Sequence, residues 1–303
     1  SQPIQSNGVT HTHLFYTKRN LIYLNKIFEL IGDDSLLKAW FTSVLISTTK
    51  MNKFRFNGTG ITTGTLYIPS LNLEFTPNNT LKRKKTVFKK TFYQTRGNSV
   101  ISINSATKLS FLNDNSIDYM FIDPPFGANL MYSEISSIWE GWIKVQTNNR
   151  EEAIINPMQQ KTLFEYQTLM NRSLQEFYRI LKPGKWITIE FSNTSASVWN
   201  SIQNALQSVG FVVANVAALD KKQGSFKAVT TTTAVKQDLV ITCFKPSKEL
   251  LQKFESTQDK SENVWVFIEE LLQKLPVHLV KDNFTTTVVE RSPKILYDRL
   301  ISY

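Results

Sequence analysis

The apolar residues of this chain recur at helical spacing in the first third, and further on strand-like runs alternate with helical stretches. Thr17 is predicted to cap a helix that ends near Ile31, and a second helix follows over residues 36–48. Strands are predicted over residues 100–103, 119–122, 186–191, 211–219 and 238–244. Helices are predicted between them over residues 132–145, 162–181 and 195–209. The second of these opens with the capping box Thr162-Leu-Phe-Glu165, and the alternation predicts an α/β domain.

The strand Tyr119-Met-Phe-Ile122 runs directly into Asp123-Pro124-Pro125-Phe126. Neither proline can donate to a strand ladder, so the strand must end there. The sequence therefore places an acid, two carbonyls and an aromatic ring at the carboxyl end of a strand, where open α/β sheets bind ligands. Asp123 and the Pro124 carbonyl can each accept a hydrogen bond from an exocyclic amine, and Phe126 can stack on the ring that bears it. A strand end with a solvated acid is the alternative interpretation.

Residues 115–126, Asn-Ser-Ile-Asp-Tyr-Met-Phe-Ile-Asp-Pro-Pro-Phe, resemble the catalytic strand of the amino-methylating DNA methyltransferases. Those enzymes carry Asp, Asn or Ser before Pro-Pro and an aromatic residue, and the Asp form resembles the adenine-N6 group more than the cytosine-N4 group. The resemblance extends over roughly residues 100–245 and is strongest to the DNA-methylase domains of large bacterial proteins. It implies a restriction-modification or phage-defence setting.

The resemblance implies a Rossmann-like, S-adenosylmethionine-dependent methyltransferase fold with a mixed, mostly parallel sheet that ends in an antiparallel pair. The last two predicted strands have no helix between them, as that ending requires. The resemblance also implies that the target base leaves the stack and that its amine is held by Asp123 and Pro124, with Pro125 completing the motif. Transfer would be direct, without a covalent enzyme intermediate. Cys243 lacks a preceding proline, so it does not resemble the nucleophile of cytosine-C5 enzymes and is predicted to lie in the core.

Composition adds a class of partner. The formal net charge is +10 and the pI is about 9.5, so an anionic partner is expected. Nucleic acid is favoured over a membrane because no apolar run approaches about 18 residues. The three histidines and one cysteine argue against a metal site, and a single cysteine favours a reducing cytoplasm.

Two basic segments are candidates for phosphate contacts. The first, Lys82, Arg83, Lys84 and Lys85, belongs to a basic segment over residues 79–96 that is predicted to be a helix or an arm. The second lies between the last two strands and contains Lys221, Lys222, Phe226 and Lys227, where Phe226 can stack on the other face of an extruded base. A solvated surface is the alternative for both segments, and DNA and RNA are not distinguished by them.

The cofactor site is the least defined part of the sequence. Phe56-Asn-Gly-Thr-Gly60 matches the Phe-x-Gly-x-Gly signature of such methyltransferases, but β-branched residues follow it and no helix opens. This segment is interpreted as a turn before a strand that ends at Pro69. Relatives often carry an acid just before the position of Ala106, where this chain has Ser105. Ser105, at that position, and Asp123, at the end of the next strand, are the predicted cofactor contacts.

Three regions are expected: a helical amino-terminal region with the basic arm (1–98), a methyltransferase catalytic region (99–246) and an α+β extension (247–303). The extension is predicted to contain a helix over residues 262–274, two short strands over 277–290 and a terminal helix from Pro293. Because the chain lacks an initiator methionine, we expect a piece of a larger protein, whose remainder or a partner subunit would complete the fold.

The hypothesis that combines these features is a DNA methyltransferase that acts on adenine N6. One alternative is a catalytically silent, methyltransferase-like nucleic-acid-binding subunit, or a fragment that lacks its cofactor motif. A further alternative is an N-methyltransferase acting on RNA or on a protein glutamine, although the glutamine enzymes favour Asn-Pro-Pro-Tyr.

Overall fold

The computed structural model describes residues 8–56, 58–92, 98–191, 196–219 and 238–247, residues 268 and 272, and two short strands at 278–281 and 284–287. The described residues fall into two units. The first unit contains the described residues up to Ile103 together with Leu130–Glu152 and Asn156–Gln160. The second contains Asn104–Asn129, Ala153–Ile155 and the described residues from Lys161 onward.

The first unit is mainly helical. Its helices are α1 (Lys18–Ile31), α2 (Ser35–Leu45), α3 (Pro77–Phe92) and α4 (Tyr132–Ile143), and a hairpin joins β1 (Lys53–Arg55) to β2 (Gly58–Gly60). Thr17 caps α1 as predicted, since its hydroxyl accepts a hydrogen bond from the Asn20 backbone N–H at 3.2 Å. The apolar faces of the helices bury one cluster, whose buried members are Phe15, Tyr16, Leu24, Ile31, Phe41, Leu45, Met51, Leu66 and Ile138.

The two tryptophans of α4 belong to this cluster. Trp139 and Trp142 pack against it, and their indole N–H groups donate to the Thr42 carbonyl at 3.1 Å and the Tyr16 hydroxyl at 3.2 Å. Both rings are therefore structural parts of this cluster.

The second unit is built on a four-stranded sheet with the order β3-β4-β6-β5. Its strands are β3 (Ile117–Ile122), β4 (Leu181–Phe191), β5 (Val212–Leu219) and β6 (Asp238–Phe244). The β3–β4 pair is parallel, whereas β6 runs antiparallel to both β4 and β5. The predicted α/β architecture with a terminal antiparallel pair is confirmed, although the described sheet contains one parallel and two antiparallel pairings.

In the sequence, α5 (Leu163–Ile180) precedes β4, and α6 (Ala196–Val209) lies between β4 and β5. The apolar residues of both helices pack with those of the sheet in one hydrophobic core. The capping box at Thr162 and Glu165 opens α5 as predicted. The core contains alternate residues of three strands, namely Met120 of β3, Ile187, Ile189 and Phe191 of β4, and Ile241 and Cys243 of β6. Cys243 is fully buried, which confirms its predicted place, and burial raises the pKa of its thiol to about 12.

Charged side chains tie the end of α5 to the start of the sheet. The buried Lys245 ammonium donates to the Tyr178 and Leu181 carbonyls at 2.7 and 2.9 Å and to Asn115 Oδ1 at 2.7 Å. Arg179 donates to the carbonyls of Leu109 and Leu112, both at 3.0 Å. Because carbonyls at a helix end lack partners within the helix, the Lys245 ammonium supplies hydrogen bonds that the end of α5 needs.

Two predicted strands are wrong. Residues 100–103 form no strand, and Val100, Ile101 and Ile103 are 94–100% exposed. No strand forms over residues 61–68 either; the Phe56 turn instead joins β1 to β2. Both segments have the β-branched composition of strands, but strand formation also requires a pairing partner, which local composition does not supply. In addition, β4 begins at Leu181, five residues earlier than predicted, directly after α5.

In the carboxyl-terminal tail, β7 (His278–Lys281) pairs antiparallel with β8 (Phe284–Thr287), which confirms the predicted pair of short strands. The predicted terminal helix from Pro293 lies outside the described residues, as does nearly all of the predicted helix over 262–274. Among the described helices, none combines the length and the hydropathy of a membrane-spanning segment.

Candidate active site

The carboxyl end of β3 is where the sequence placed it. Met120 faces the core and is 8% exposed, whereas its neighbours Tyr119 and Phe121 point to the other face and are 56% and 60% exposed. The last pairing of β3 joins Ile122 to Ile189 of β4. Asp123 is the next residue and is exposed, so its side chain lies at the open end of the strand. The Asp-Pro-Pro-Phe segment therefore leaves the sheet at the edge where ligands of α/β sheets bind.

Three contacts hold this segment in place. The Tyr166 hydroxyl donates to the Pro125 carbonyl at 2.8 Å. The Phe126 ring meets the Phe191 ring edge to face, with centroids 5.4 Å apart. The Ile155 N–H donates to the Gly127 carbonyl at 3.3 Å, and Gly127 has a φ of +73°, a backbone conformation that favours glycine. Residues 125–127 are thus attached to α5, β4 and the 153–155 segment in turn.

The two proline carbonyls differ. The Pro125 carbonyl is the acceptor for Tyr166. No hydrogen bond to the Pro124 carbonyl comes from any residue that the structure describes. Asp123 and the Pro124 carbonyl are adjacent in the chain, so the end of β3 presents two neighbouring oxygen acceptors, which is the arrangement that an NH2 group with two protons requires.

Phe126 is placed differently from the simplest expectation of an open stacking platform. Its ring is half-buried and packs against the core cluster of the second unit. Its edge-to-face contact with Phe191 fixes the ring plane. Stacking of Phe126 on a base stays a prediction, and the ring has a structural role in addition.

Glu190 is a carboxylate that the sequence reasoning missed. It follows Ile189 on β4, just as Asp123 follows Ile122 on β3, so the register places the two acids side by side at the same edge. Glu190 is half-buried and lies on the face of the sheet opposite the core residues Ile189 and Phe191. The alternation Ile187-Thr-Ile-Glu-Phe191 was the available signal, because a polar residue inside a buried strand must face away from the core.

Ser105 lies in a turn. Its hydroxyl is 2.8 Å from the Thr107 hydroxyl, and its carbonyl accepts from the Lys108 N–H at 3.2 Å. The strand expected before it is not formed, so Ser105 does not follow a strand end, the context on which its predicted cofactor contact relied. The Phe56 segment lacks a following helix, as predicted, and Phe56 is 98% exposed at the turn between β1 and β2.

In the first unit, the basic segment that was predicted to be a helix or an arm forms the helix α3. Its buried side includes Thr80 and Leu81, which are 3% and 4% exposed. Lys84 is half-buried, and the exposed cations are Lys82, Arg83, Lys85, Lys89 and Lys90. The helix sequence contains no acid. The exposed surface formed by these five cations is called the α3 basic face below.

The second predicted basic segment, with Lys221, Lys222, Phe226 and Lys227, lies outside the described residues. Among the residues that are described, no group of three or more His, Cys, Asp or Glu side chains is arranged to hold a metal ion.

Comparison with known proteins assigns the chain to a family. A family model described as DNA methylase, for N6 and N4 methyltransferases, matches residues 117–293, which is more than half of the chain and begins at the first residue of β3. The chain therefore belongs to the N6/N4 DNA methylase family. A comparison with curated proteins gave no match.

Two solved structures are similar to this chain at low sequence identity. A protein of Thermus thermophilus, named as a DNA modification methylase and solved with S-adenosyl-L-methionine, is 15% identical with a TM-score of 0.31; the match covers 53% of this chain and 62% of that one. A SAM-dependent methyltransferase of Methanosarcina mazei is 12% identical with a TM-score of 0.29, and the match covers 54% and 77% of the two chains. The chain thus spans about 60% of the length of the first. Because both TM-scores are below 0.5, the assignment rests on the family model.

Proposed function

We propose that this chain carries the catalytic residues of an S-adenosylmethionine-dependent DNA methyltransferase that methylates adenine at N6. The observation that carries the proposal is the pair of oxygen acceptors, Asp123 and the Pro124 carbonyl, held at the carboxyl end of β3 in a chain of the DNA methylase family. S-adenosylmethionine would supply the electrophilic methyl group and leave as S-adenosylhomocysteine, with release of one amine proton. Ser105 and Asp123 remain the predicted contacts to this cofactor.

The chemistry of these two oxygens follows from the electronic structure of an exocyclic amine. The nitrogen lone pair of adenine N6 is delocalised into the ring and is a weak nucleophile. When Asp123 and the Pro124 carbonyl each accept one amine proton, the lone pair is redirected out of the ring plane. The carboxylate also stabilises the positive charge that develops on the nitrogen as the new bond forms. The base must first leave the helical stack, so that its amine can reach these acceptors.

The described residues fit the amine-holding part of this reaction better than they fit a cofactor cradle. The glycine-containing segment at Phe56–Gly60 lies at a hairpin and does not open a helix, so it lacks a helix amino terminus to receive the cofactor. A silent nucleic-acid-binding subunit is therefore the second candidate function. Calorimetric titration with S-adenosylmethionine separates the two, because a dissociation constant in the micromolar range, about 8 kcal/mol, indicates a working cofactor site.

The α3 basic face supports nucleic acid as the substrate. Its five exposed cations and the absence of acids in α3 favour contact with a phosphate backbone. Asp rather than Asn before Pro-Pro argues against a glutamine acceptor, and the family supports DNA over RNA. A DNA substrate also favours a cytoplasmic location.

The test is to identify the product. The chain is incubated with unmethylated duplex DNA and labelled S-adenosylmethionine, and the DNA is digested to nucleosides. N6-methyldeoxyadenosine is the expected product. N4-methyldeoxycytidine would contradict the adenine assignment but keep the class of enzyme. DNA binding without transfer, together with no heat of S-adenosylmethionine binding, would support the silent subunit.

A further inference from the structure

Tyr166 is a buried polar residue that has no part in the chemistry proposed for Asp123 and the Pro124 carbonyl. It lies in the first turn of α5, its side chain is fully buried, and its hydroxyl donates to the Pro125 carbonyl at 2.8 Å. The capping box at Thr162 and Glu165 fixes where α5 begins, so the position of Tyr166 along the helix is well determined. A buried tyrosine hydroxyl normally has a hydrogen-bond partner, and here that partner belongs to the catalytic segment.

The backbone of Pro124 and Pro125 can accept a hydrogen bond but cannot donate one. Proline has no N–H, so its carbonyl is the sole backbone group through which it can be hydrogen-bonded. The ring also fixes φ near −65°, which leaves ψ as the remaining backbone freedom at Pro124 and at Pro125. A donor to the Pro125 carbonyl sets the plane of the peptide that follows it. Tyr166 is that donor.

The Pro124 and Pro125 carbonyls differ in their hydrogen-bond partners, and this difference suits the proposed reaction. Tyr166 occupies the Pro125 carbonyl, whereas none of the described residues donates to the Pro124 carbonyl, the acceptor that the reaction needs. The Phe126 ring, wedged against Phe191, and the Gly127 carbonyl, bound to Ile155, hold the residues that follow. Of these three contacts of residues 125–127, the hydrogen bond from Tyr166 is therefore the closest in sequence to Asp123 and Pro124.

We propose that Tyr166 is a positioning residue for methyl transfer, and that its bond to Pro125 keeps Asp123 and the Pro124 carbonyl aimed at the target amine. The inference rests on the proposed function. Because Tyr166 is fully buried, it acts through the Asp-Pro-Pro-Phe segment and does not touch the substrate. Loss of its hydroxyl should therefore slow the transfer step and leave substrate binding unchanged. A misplacement of about 1 Å at a reacting group can cost about 100-fold in rate.

The test compares Tyr166→Phe with Tyr178→Phe. Both variants remove one hydroxyl from α5, but the Tyr178 hydroxyl has no hydrogen-bond partner among the described residues. Single-turnover methylation with enzyme in excess measures the transfer rate per folded molecule, so a partial loss of folding does not distort it. Tyr166→Phe should lower this rate about 10-fold or more, with the KM values for DNA and S-adenosylmethionine unchanged within about twofold. Tyr178→Phe should leave the rate at the wild-type value.

Two results would overturn the inference. The first is a wild-type single-turnover rate in Tyr166→Phe. The second is a loss carried by KM rather than by the rate, which would mean that the hydroxyl supports binding. Failure of the proposed function is distinguishable, because in that case the wild-type chain shows no transfer, or a transfer that persists in Asp123→Ala. If wild-type transfer depends on Asp123 but not on the Tyr166 hydroxyl, the proposed function stands and only the inference about Tyr166 is wrong.

Discussion

Neutralising part of the α3 basic face should weaken DNA binding in a way that depends on salt. Lys82 and Lys89 are both exposed and are seven residues apart, which places them on one side of the helix about 10 Å apart along its axis. That distance is roughly three phosphates of one DNA strand. The double variant Lys82→Gln/Lys89→Gln removes two charges with little change in helix propensity, since Gln and Lys are nearly equal helix formers.

The magnitude follows from counterion release. Each neutralised phosphate contributes about −0.9 to the slope of log K against log salt. If all five exposed cations of α3 contact phosphates, the slope is about −4.5, and the double variant should reduce it to about −2.7. At 0.1 M salt the same two contacts correspond to about 60-fold in affinity.

The assay is fluorescence anisotropy with a labelled duplex at a series of salt concentrations. The matched control is Lys26→Gln/Lys38→Gln, which makes the same change in net charge in the same unit. In the wild-type chain these two lysines are ion-paired with Glu29 and Asp33 at 3.1 and 2.9 Å. The control should keep the wild-type slope. An unchanged slope in the α3 variant, or an equal decrease in both variants, would refute a specific role for the α3 basic face.

Two predictions concern the stability of the second unit. Lys245→Met should lower the free energy of unfolding by about 3 kcal/mol, because it leaves two carbonyls at the end of α5 and the Asn115 side chain without their donor. Thermal unfolding should show a fall of about 6–12 °C, whereas Lys182→Met, at an exposed ion pair with Asp118, should cost about 0–1 kcal/mol. Glu176→Gln should alter the acid sensitivity of the unit, since hydrogen bonds from Arg179 and the Leu109 N–H hold the pKa of Glu176 below its ordinary value of 4.5.

The direction of the Glu176 effect follows from linkage. A carboxyl whose pKa is lowered by folding contributes stability above its unfolded pKa, and this contribution is lost as the pH falls through the folded pKa. The wild-type chain should therefore be more stable than Glu176→Gln at pH 7, and the difference should shrink below about pH 4.5. Urea unfolding at pH 7 and at about pH 3 measures it. A difference that stays constant between the two pH values would show that the Glu176 charge is not responsible.

The elements that the sequence predicted are those with local signals. The Thr162 capping box lies within four residues, and the two prolines after Ile122 end β3 by their own covalent structure. The antiparallel pair β5 and β6 could be predicted because the order of strands and helices, together with the family resemblance, restricts how they pair. In each case the information lies within one short segment or in the order of segments.

The features that the sequence did not predict depend on distant contacts. The bond between Tyr166 and Pro125 joins residues that are 41 positions apart, and nothing near either residue indicates the other. Glu190 comes beside Asp123 only through the register of β3 and β4. Residues 100–103 have the composition of a strand but remain unpaired and exposed, because a strand needs a partner as well as a propensity.

The proposed role of Asp123 is tested most directly by measuring transfer of a labelled methyl group from S-adenosylmethionine to duplex DNA by the wild-type chain and by Asp123→Ala. DNA affinity is measured in parallel on the same two proteins. Loss of transfer by Asp123→Ala at an unchanged affinity for DNA is the predicted result, because Asp123 is exposed at the end of β3 and the α3 basic face is untouched. Full transfer by Asp123→Ala would contradict the proposed site at the end of β3.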